Sequence, residues 1–329
     1  MEHNIACIVG GEPARKELAR FLAGFEDETR GEAFWHQRLA FWWDENPFSA
    51  PDLPKGWVLR CNGGMVGFFG VIPFEYMHQG QNHRALAATT WRVAKAHRHA
   101  SLPMFLQWHR LGLEYILLDT TANAEVATIL DRFHYCVERK VTHHFFPLAG
   151  STGLKGMALT PLHWTSCFSL PRRRLRIVNL TDAFQVKHCC ERQDRLEKEI
   201  SREYLSWYCS GPETRKDFFG CVDEDGTLTS YLIVQPEAYG QREVLSVIDH
   251  FTTCATQDEL LALLRHVVRT QHELARGRFQ FLMFSVLGDQ QLRPGIIHRE
   301  DVANHYYSLP PQLEGVSKRC VLAEGDYGC

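Results

Sequence analysis

Lys95, His97, Arg98, His99 and Ser101 crowd one short segment whose flanks carry different periodicities. Before it runs an apolar, β-branched stretch from Leu86 to Val93. After it Leu102, Phe105 and Leu106 fall at helical spacing, with Trp108 nearby. A strand that passes through a tight basic turn into a helix is a ready anion site. The first helical N–H groups lack internal partners, the helix dipole places partial positive charge there, and the cationic side chains add to it. A pyrophosphate is the natural guest. The same unit also serves as a plain connector in many folds, so the elements around it must decide.

Metal chemistry finds less support in the spacing. His97 and His99, His143 and His144, and Cys189 and Cys190 are close pairs, but none has the two-plus-two pattern of a zinc site. No metal is expected.

Bulk composition narrows the partners. A net charge of −3 over 329 residues calls for neither nucleic acid nor an anionic membrane, and the run Pro171 to Arg176 reads as a solvated basic edge. No apolar stretch approaches the roughly 20 residues that span a bilayer. The first residues show no basic leader followed by an apolar run. Eleven scattered cysteines, an odd number, then read as reduced thiols in a cytoplasmic protein. The length suits two domains, divided near residue 150 at the glycine-containing stretch Pro147 to Gly156.

The elements of the first half follow a definite order. Phe34, Trp35, Leu39, Trp42 and Trp43 predict a helix over residues 31–44, stopped at Asn46-Pro47. Residues 57–61 and 65–72, joined by Asn62-Gly63-Gly64, predict a β-hairpin. The strand ending at Val93, the basic turn and the Leu102 helix come next. Residues 115–118 read as a buried strand, 124–133 as a helix and 135–141 as a further strand.

That order, with GWVLRCNGGMVGFFGVIP, WRVAKAHRHASLPMFLQ and TANAEVATILDRFHYCV in it, resembles the GNAT family of acyl-CoA N-acyltransferases over most of residues 30–145. The resemblance implies an α/β (α+β) fold with a mixed, mostly antiparallel sheet flanked by helices. It implies acetyl-CoA or a longer acyl-CoA as cosubstrate and a small-molecule acyl acceptor. It also assigns Trp91, Arg92 and Val93 to the strand whose backbone N–H polarises the thioester carbonyl. Arg98, His99, Ala100, Ser101 and Leu102 would hold the pyrophosphate, and Asn123 would open the next helix beside the cofactor.

Two departures from the family pattern matter. The pyrophosphate loop reads Arg98-His99-Ala100-Ser101-Leu102-Pro103, with Ser101 and Pro103 where the family carries glycines. A serine hydroxyl can bond phosphate or cap the helix, and proline suits a first helical turn. Leu130 stands where a tyrosine often protonates the departing thiolate. Tyr135 lies a few residues on, while Glu75 and His78 are the nearest bases in sequence, and His97 and His99 are further candidates.

The second half repeats the order weakly. Residues 194–208 read as a helix, 218–222 and 228–234 as a hairpin around Asp223-Glu224-Asp225-Gly226, 244–251 as a strand, 257–273 as a helix and 279–286 as a buried strand. This is the pattern of tandem-GNAT proteins. The turn after Phe251 is uncharged until Asp258 and Glu259, which would repel a pyrophosphate. Donor binding is therefore expected in the first half alone. Three functions stay open: an acyl-CoA-dependent acyltransferase, a non-catalytic GNAT-like binding protein, and an aminoacyl-tRNA-dependent transferase of the Fem type.

Overall fold

The computed structural model describes the chain except residues 1, 9, 149–153, 188–193, 254–256, 275–278, 289–291, 293–294, 296, 326 and 328–329. The Cys189–Cys190 pair and residues 254–256 of the second-half turn thus lie outside the described residues.

The first half begins with β1 (His3–Ile8), α1 (Glu12–Ala23) and α2 (Glu32–Trp43). Asn62 and Gly63, at φ +50° and +84°, then close the expected hairpin between β2 (Gly56–Cys61) and β3 (Gly64–His78). Two successive left-handed residues match the twist of the flanking strands, which is why Asn-Gly is such a strong signal. Gln79 and Gly80, at φ +50° and +77°, make the same turn into β4 (Gln81–Val93). There follow α3 (Leu102–Arg110), β5 (Ile116–Asp119), α4 (Ala124–Arg132) and β6 (Cys136–Pro147).

The second half contains α5 (Leu154–Ser169), β7 (Ile177–Val178), β8 (Arg195–Lys198), α6 (Arg202–Cys209), β9 (Asp217–Val222), β10 (Leu228–Tyr239) and β11 (Arg242–Thr252). It ends with α7 (Asp258–Leu274), β12 (Phe281–Leu287), β13 (Ile297–Ser308) and β14 (Ser317–Lys318). The helix expected over residues 194–208 is corrected here. Its first part is β8, which pairs with β3 and β14, and the helix starts only after Ser201, whose Oγ accepts from the Tyr204 N–H at 3.0 Å. Pairing to strands remote in sequence overrides local helical spacing.

All these strands belong to one mixed sheet, ordered β1-β2-β3-β4-β5-β13-β6-β12-β11-β10-β9-β7 along its path. The halves exchange their last strands: β13 lies between β5 and β6, and β6 lies between β13 and β12. A cut at residue 150 therefore crosses continuous hydrogen-bonded sheet.

Alternation along the strands divides the core. Ala85, Ala87, Ile116 and Leu118 face a layer that includes α1, α2 and α6, where Phe41 stacks on Trp207 at 4.8 Å and Trp207 Nε1 donates to the Phe41 carbonyl. Leu86, Ala88 and Leu117 face α3 and α4 with Phe105, Trp108 and Leu130. The second half packs α5 and α7 against Leu245, Val247 and Leu282.

Candidate functional site

Parallel pairing joins Ala85, Leu86 and Ala87 of β4 to Ile116, Leu117 and Leu118 of β5. Beyond Ala87 the ladder stops, while β4 runs on to Val93, so the two strands part. Within this free stretch Thr90 and Trp91 together face a single residue of β3, a bulge between the pairs Phe68↔Arg92 and Gly70↔Thr89. Thr90 sits at φ +47°. A β-branched residue in left-handed backbone costs about 1–3 kcal/mol, and such strain concentrates where backbone groups are re-aimed for use.

The bulge opens on a cavity of about 380 Å³ lined by Thr90, Arg92, Thr121, Trp35, Arg38 and Tyr327, together with Arg30 and Glu213. Trp35 is buried, with the guanidinium groups of Arg30 and Arg38 at 4.9 and 5.6 Å from its ring. The indole N–H of Trp35 and the Nε of Arg38 are buried without a hydrogen-bond partner among the described residues. Such donors are costly unless a ligand or water takes them. Arg38 and Arg30 both reach Glu213, at 2.9 and 3.0 Å. The Tyr327 phenol donates to Glu237, and burial followed by that carboxylate pushes the phenol above its ordinary value.

The residues expected to act separate into several places. Trp91 stacks on Phe105 of α3 at 5.8 Å, and Val93 is buried beneath it. Arg92 lines the cavity but is held by Asp27 at 3.0 Å and Glu28 at 3.6 Å, above the Phe25 ring. Hydrogen bonds from Arg30, opposed by partial burial and helped by Arg92, hold the Glu28 carboxyl down at about 2. This ion-pair group ties the α1–α2 connection to the bulged strand.

The basic turn is a short 3₁₀ helix over Lys95–Ala100 that runs into α3, with Lys95, Arg98, His99 and Leu102 exposed and Ala100 half-buried. Pro103 occupies the first turn of α3, where its missing N–H costs little. Ser101 takes helical angles and makes no side-chain cap; its N–H donates to the Arg98 carbonyl at 3.1 Å. In this conformation the Ser101 hydroxyl, rather than its amide, is the group left for a phosphate. Asn123 caps α4, its Oδ1 accepting from the Val126 N–H at 2.9 Å.

The candidate proton-transfer residues do not reach the bulge. Glu75 lies opposite Arg84 and takes a hydrogen bond from Asn82, with His78 beyond it at the hairpin end. Six residues of strand, about 20 Å, separate Arg84 from Thr90. Tyr135 is a core residue: it stacks on Trp108 at 5.7 Å, its hydroxyl is 3.1 Å from His109 Nδ1, and burial pushes the phenol far up. Of the two cavity residues on α2, Trp35 belongs to the helical apolar pattern, and Arg38 is not among the residues singled out from the sequence. A charged residue within that aromatic helix is the signal that could have found it.

The second half has the same break, since β11 pairs with β12 only at Leu245–Val247. Its cleft is filled by the chain itself. The carbonyls of Ile248 and His250 accept from Ala323 N–H and Arg319 Nη2, both at 2.9 Å. Asp249 is buried against Lys198 Nζ at 2.6 Å and the Tyr231 hydroxyl at 3.0 Å. In the first turn of α7 the Glu259 carboxylate accepts hydrogen bonds from the Thr229 and Ser230 hydroxyls.

No family model and no curated protein matches the sequence. Solved structures do match the fold. A protein from Enterococcus faecalis V583 described as a probable N-acyltransferase superposes with a TM-score of 0.57 at 8% identity, over 93% of this chain and 72% of its own. The chain has the GNAT fold. A GCN5-related N-acetyltransferase from Anabaena variabilis gives 0.56 at 9% identity, over 92% of this chain and 72% of its own. The N-myristoyltransferase of Saccharomyces cerevisiae with bound myristoyl-CoA gives 0.51 at 12% identity, over 94% and 84%. No helix among the described residues is long and apolar enough to cross a membrane.

Proposed function

We propose that the protein is an acyl-CoA-dependent acyltransferase whose donor and acceptor meet in the first-half cleft. The observation that carries this reading is the left-handed Thr90 bulge at the mouth of the cavity. A bulge frees backbone N–H groups from the ladder, and the Trp91–Val93 stretch can then polarise a thioester carbonyl without any side chain. The pyrophosphate would lie along Lys95–Leu102, with Arg98 and the Ser101 hydroxyl as its direct partners. Acetyl-CoA or a longer acyl-CoA is the donor, and the myristoyl-CoA held by the yeast neighbour supports the longer class.

The acceptor is an amine of a small molecule. Its nitrogen attacks the carbonyl carbon, the C–N bond forms, the C–S bond breaks and CoA leaves as thiolate. Tyr327 and Glu237 are the relay best placed for the proton: nitrogen gives it to the phenol oxygen as the phenol proton passes to Glu237. The thiolate is then reprotonated from solvent. The unpartnered donors of Trp35 and Arg38 favour an acceptor that carries an oxygen acceptor of its own.

Calorimetric titration with acetyl-CoA and myristoyl-CoA, followed by amine-dependent release of free thiol, tests the reading. Saturable binding and release support it; no binding at millimolar donor sinks it. Binding of charged tRNA alongside a flat CoA titration would move the protein to the Fem type. CoA binding with no turnover over a broad amine panel would favour the non-catalytic reading, which the burial of Tyr135 and the distance of Glu75 from the bulge support.

A further inference from the structure

Three donor side chains far apart in the sequence meet beside the basic turn. His3 stands directly opposite Cys61 in the antiparallel β1–β2 pair, so both side chains leave the same face of the sheet. His97, from the 3₁₀ turn, brings its Nδ1 to 3.0 Å from His3 Nε2. The nitrogen of each histidine and the Cys61 sulfur all lie within 4.8 Å of one another. The His99 ring stands edge-on to His3 with centroids 5.4 Å apart. Cys61 is buried, while His3 and His97 are half-buried, so the group is reachable from solvent on one side.

We propose that His3, Cys61 and His97 form a site for a thiophilic transition-metal ion of the zinc type, with the fourth position open to water or His99. Zinc–nitrogen bonds of about 2.0–2.1 Å and zinc–sulfur bonds of about 2.3 Å at tetrahedral angles place donor atoms roughly 3.3–3.7 Å apart, a small adjustment from this arrangement. A mixed nitrogen–sulfur donor set selects zinc, cobalt or copper over magnesium and calcium. Binding replaces the Cys61 thiol proton, so one proton is released per ion. The ion ties β1 and β2 to the turn before α3 and fixes that turn's conformation. This inference stands whether or not the cleft binds acyl-CoA.

A second group of donors, His305, Cys320 and Glu324, is wholly buried but already contains a cation. The Lys318 ammonium lies 2.6 Å from the Glu324 carboxylate and 3.8 Å from the Cys320 sulfur. A divalent ion there would have to displace it. Among the described residues no lysine or arginine nitrogen bonds to His3, Cys61 or His97.

Cobalt(II) titrated into untagged, metal-free full-length protein reads the site directly. The expected result is one equivalent bound, with tetrahedral d–d bands and a thiolate-to-cobalt charge-transfer band that zinc abolishes. Cys61→Ser removes the charge-transfer band, and Cys320→Ser leaves it unchanged. His3→Gln and His97→Gln, at half-buried positions that tolerate change, weaken cobalt by more than the roughly 10–100-fold that loss of an outer-shell partner costs. Zinc raises the melting temperature of the wild type and not of these two variants, whose metal-free melts match the wild type. Absence of the charge-transfer band, or its persistence in Cys61→Ser, overturns the proposal.

Discussion

In the first half, β4 leaves β5 after Ala87 and opens on a cavity with unpartnered donors. In the second, β11 leaves β12 after Val247, and residues 319–323 close the gap by bonding the carbonyls of Ile248 and His250. The elements are alike and their use is opposite. The first cleft keeps strain at Thr90 and leaves polar groups unpaired, both of which cost stability. The second fills its gap with internal pairs, Lys198 against Asp249 and Glu259 against Thr229 and Ser230. One cleft stays open and the other is filled by the chain itself. The contrast shows that alike elements can end either in a lined cavity or in internal packing.

Substitutions in matched places should separate these roles. The largest effect belongs to the closed cleft: Lys198→Met leaves Asp249 charged and buried and should cost about 3–5 kcal/mol of stability, read by chemical denaturation. Adding Asp249→Leu should recover much of that loss. In the open cleft, Thr121→Trp, at an exposed cavity position, should lower acyl transfer by roughly 100-fold through misplaced reactants while the melting temperature holds. Thr253→Trp, exposed at the end of β11, should leave transfer unchanged. Equal losses from the two tryptophans would dissolve the distinction.

A pH series probes the cluster that anchors the closing segment. Burial alone would pull His305 down, but Cys320 and Glu324 outweigh it and carry the imidazole up to about 9. Because the folded value lies above the unfolded one of about 6.5, this contribution is complete below pH 6.5 and lost as pH rises through about 9. Melting temperatures should fall across that window in the wild type, and His305→Gln should flatten the fall. The smallest effect is reserved for Tyr135→Phe. Losing its hydrogen bond to His109 should cost about 1 kcal/mol and leave turnover intact. A large drop in turnover would return Tyr135 to the chemistry.

Local signals made much of the first half legible. The Asn62-Gly63 turn, the aromatic periodicity of α2 and the basic turn before α3 each depend on neighbours in sequence, and each stands where its pattern indicates. The elements that escaped depend on distant partners. β13, with His298, Arg299, Glu300 and Asp301 in its first turns of alternation, is too polar to read as a strand, and only insertion between β5 and β6 makes it one. β8 reads as helix because the packing of Leu196, Glu197 and Lys198 is decided by β3 and residues from the chain's end. The cavity followed the same rule. Thr90, Thr121 and Tyr327 come from three separate segments, and no spacing connects them.

Hydrogen–deuterium exchange with and without saturating acyl-CoA tests the division between the clefts most directly. The account predicts slowed exchange over residues 90–105 and 119–124, with no change over residues 245–252 and 258–262. Protection at the second cleft, or none at the first under conditions where acyl-CoA is bound, would contradict it.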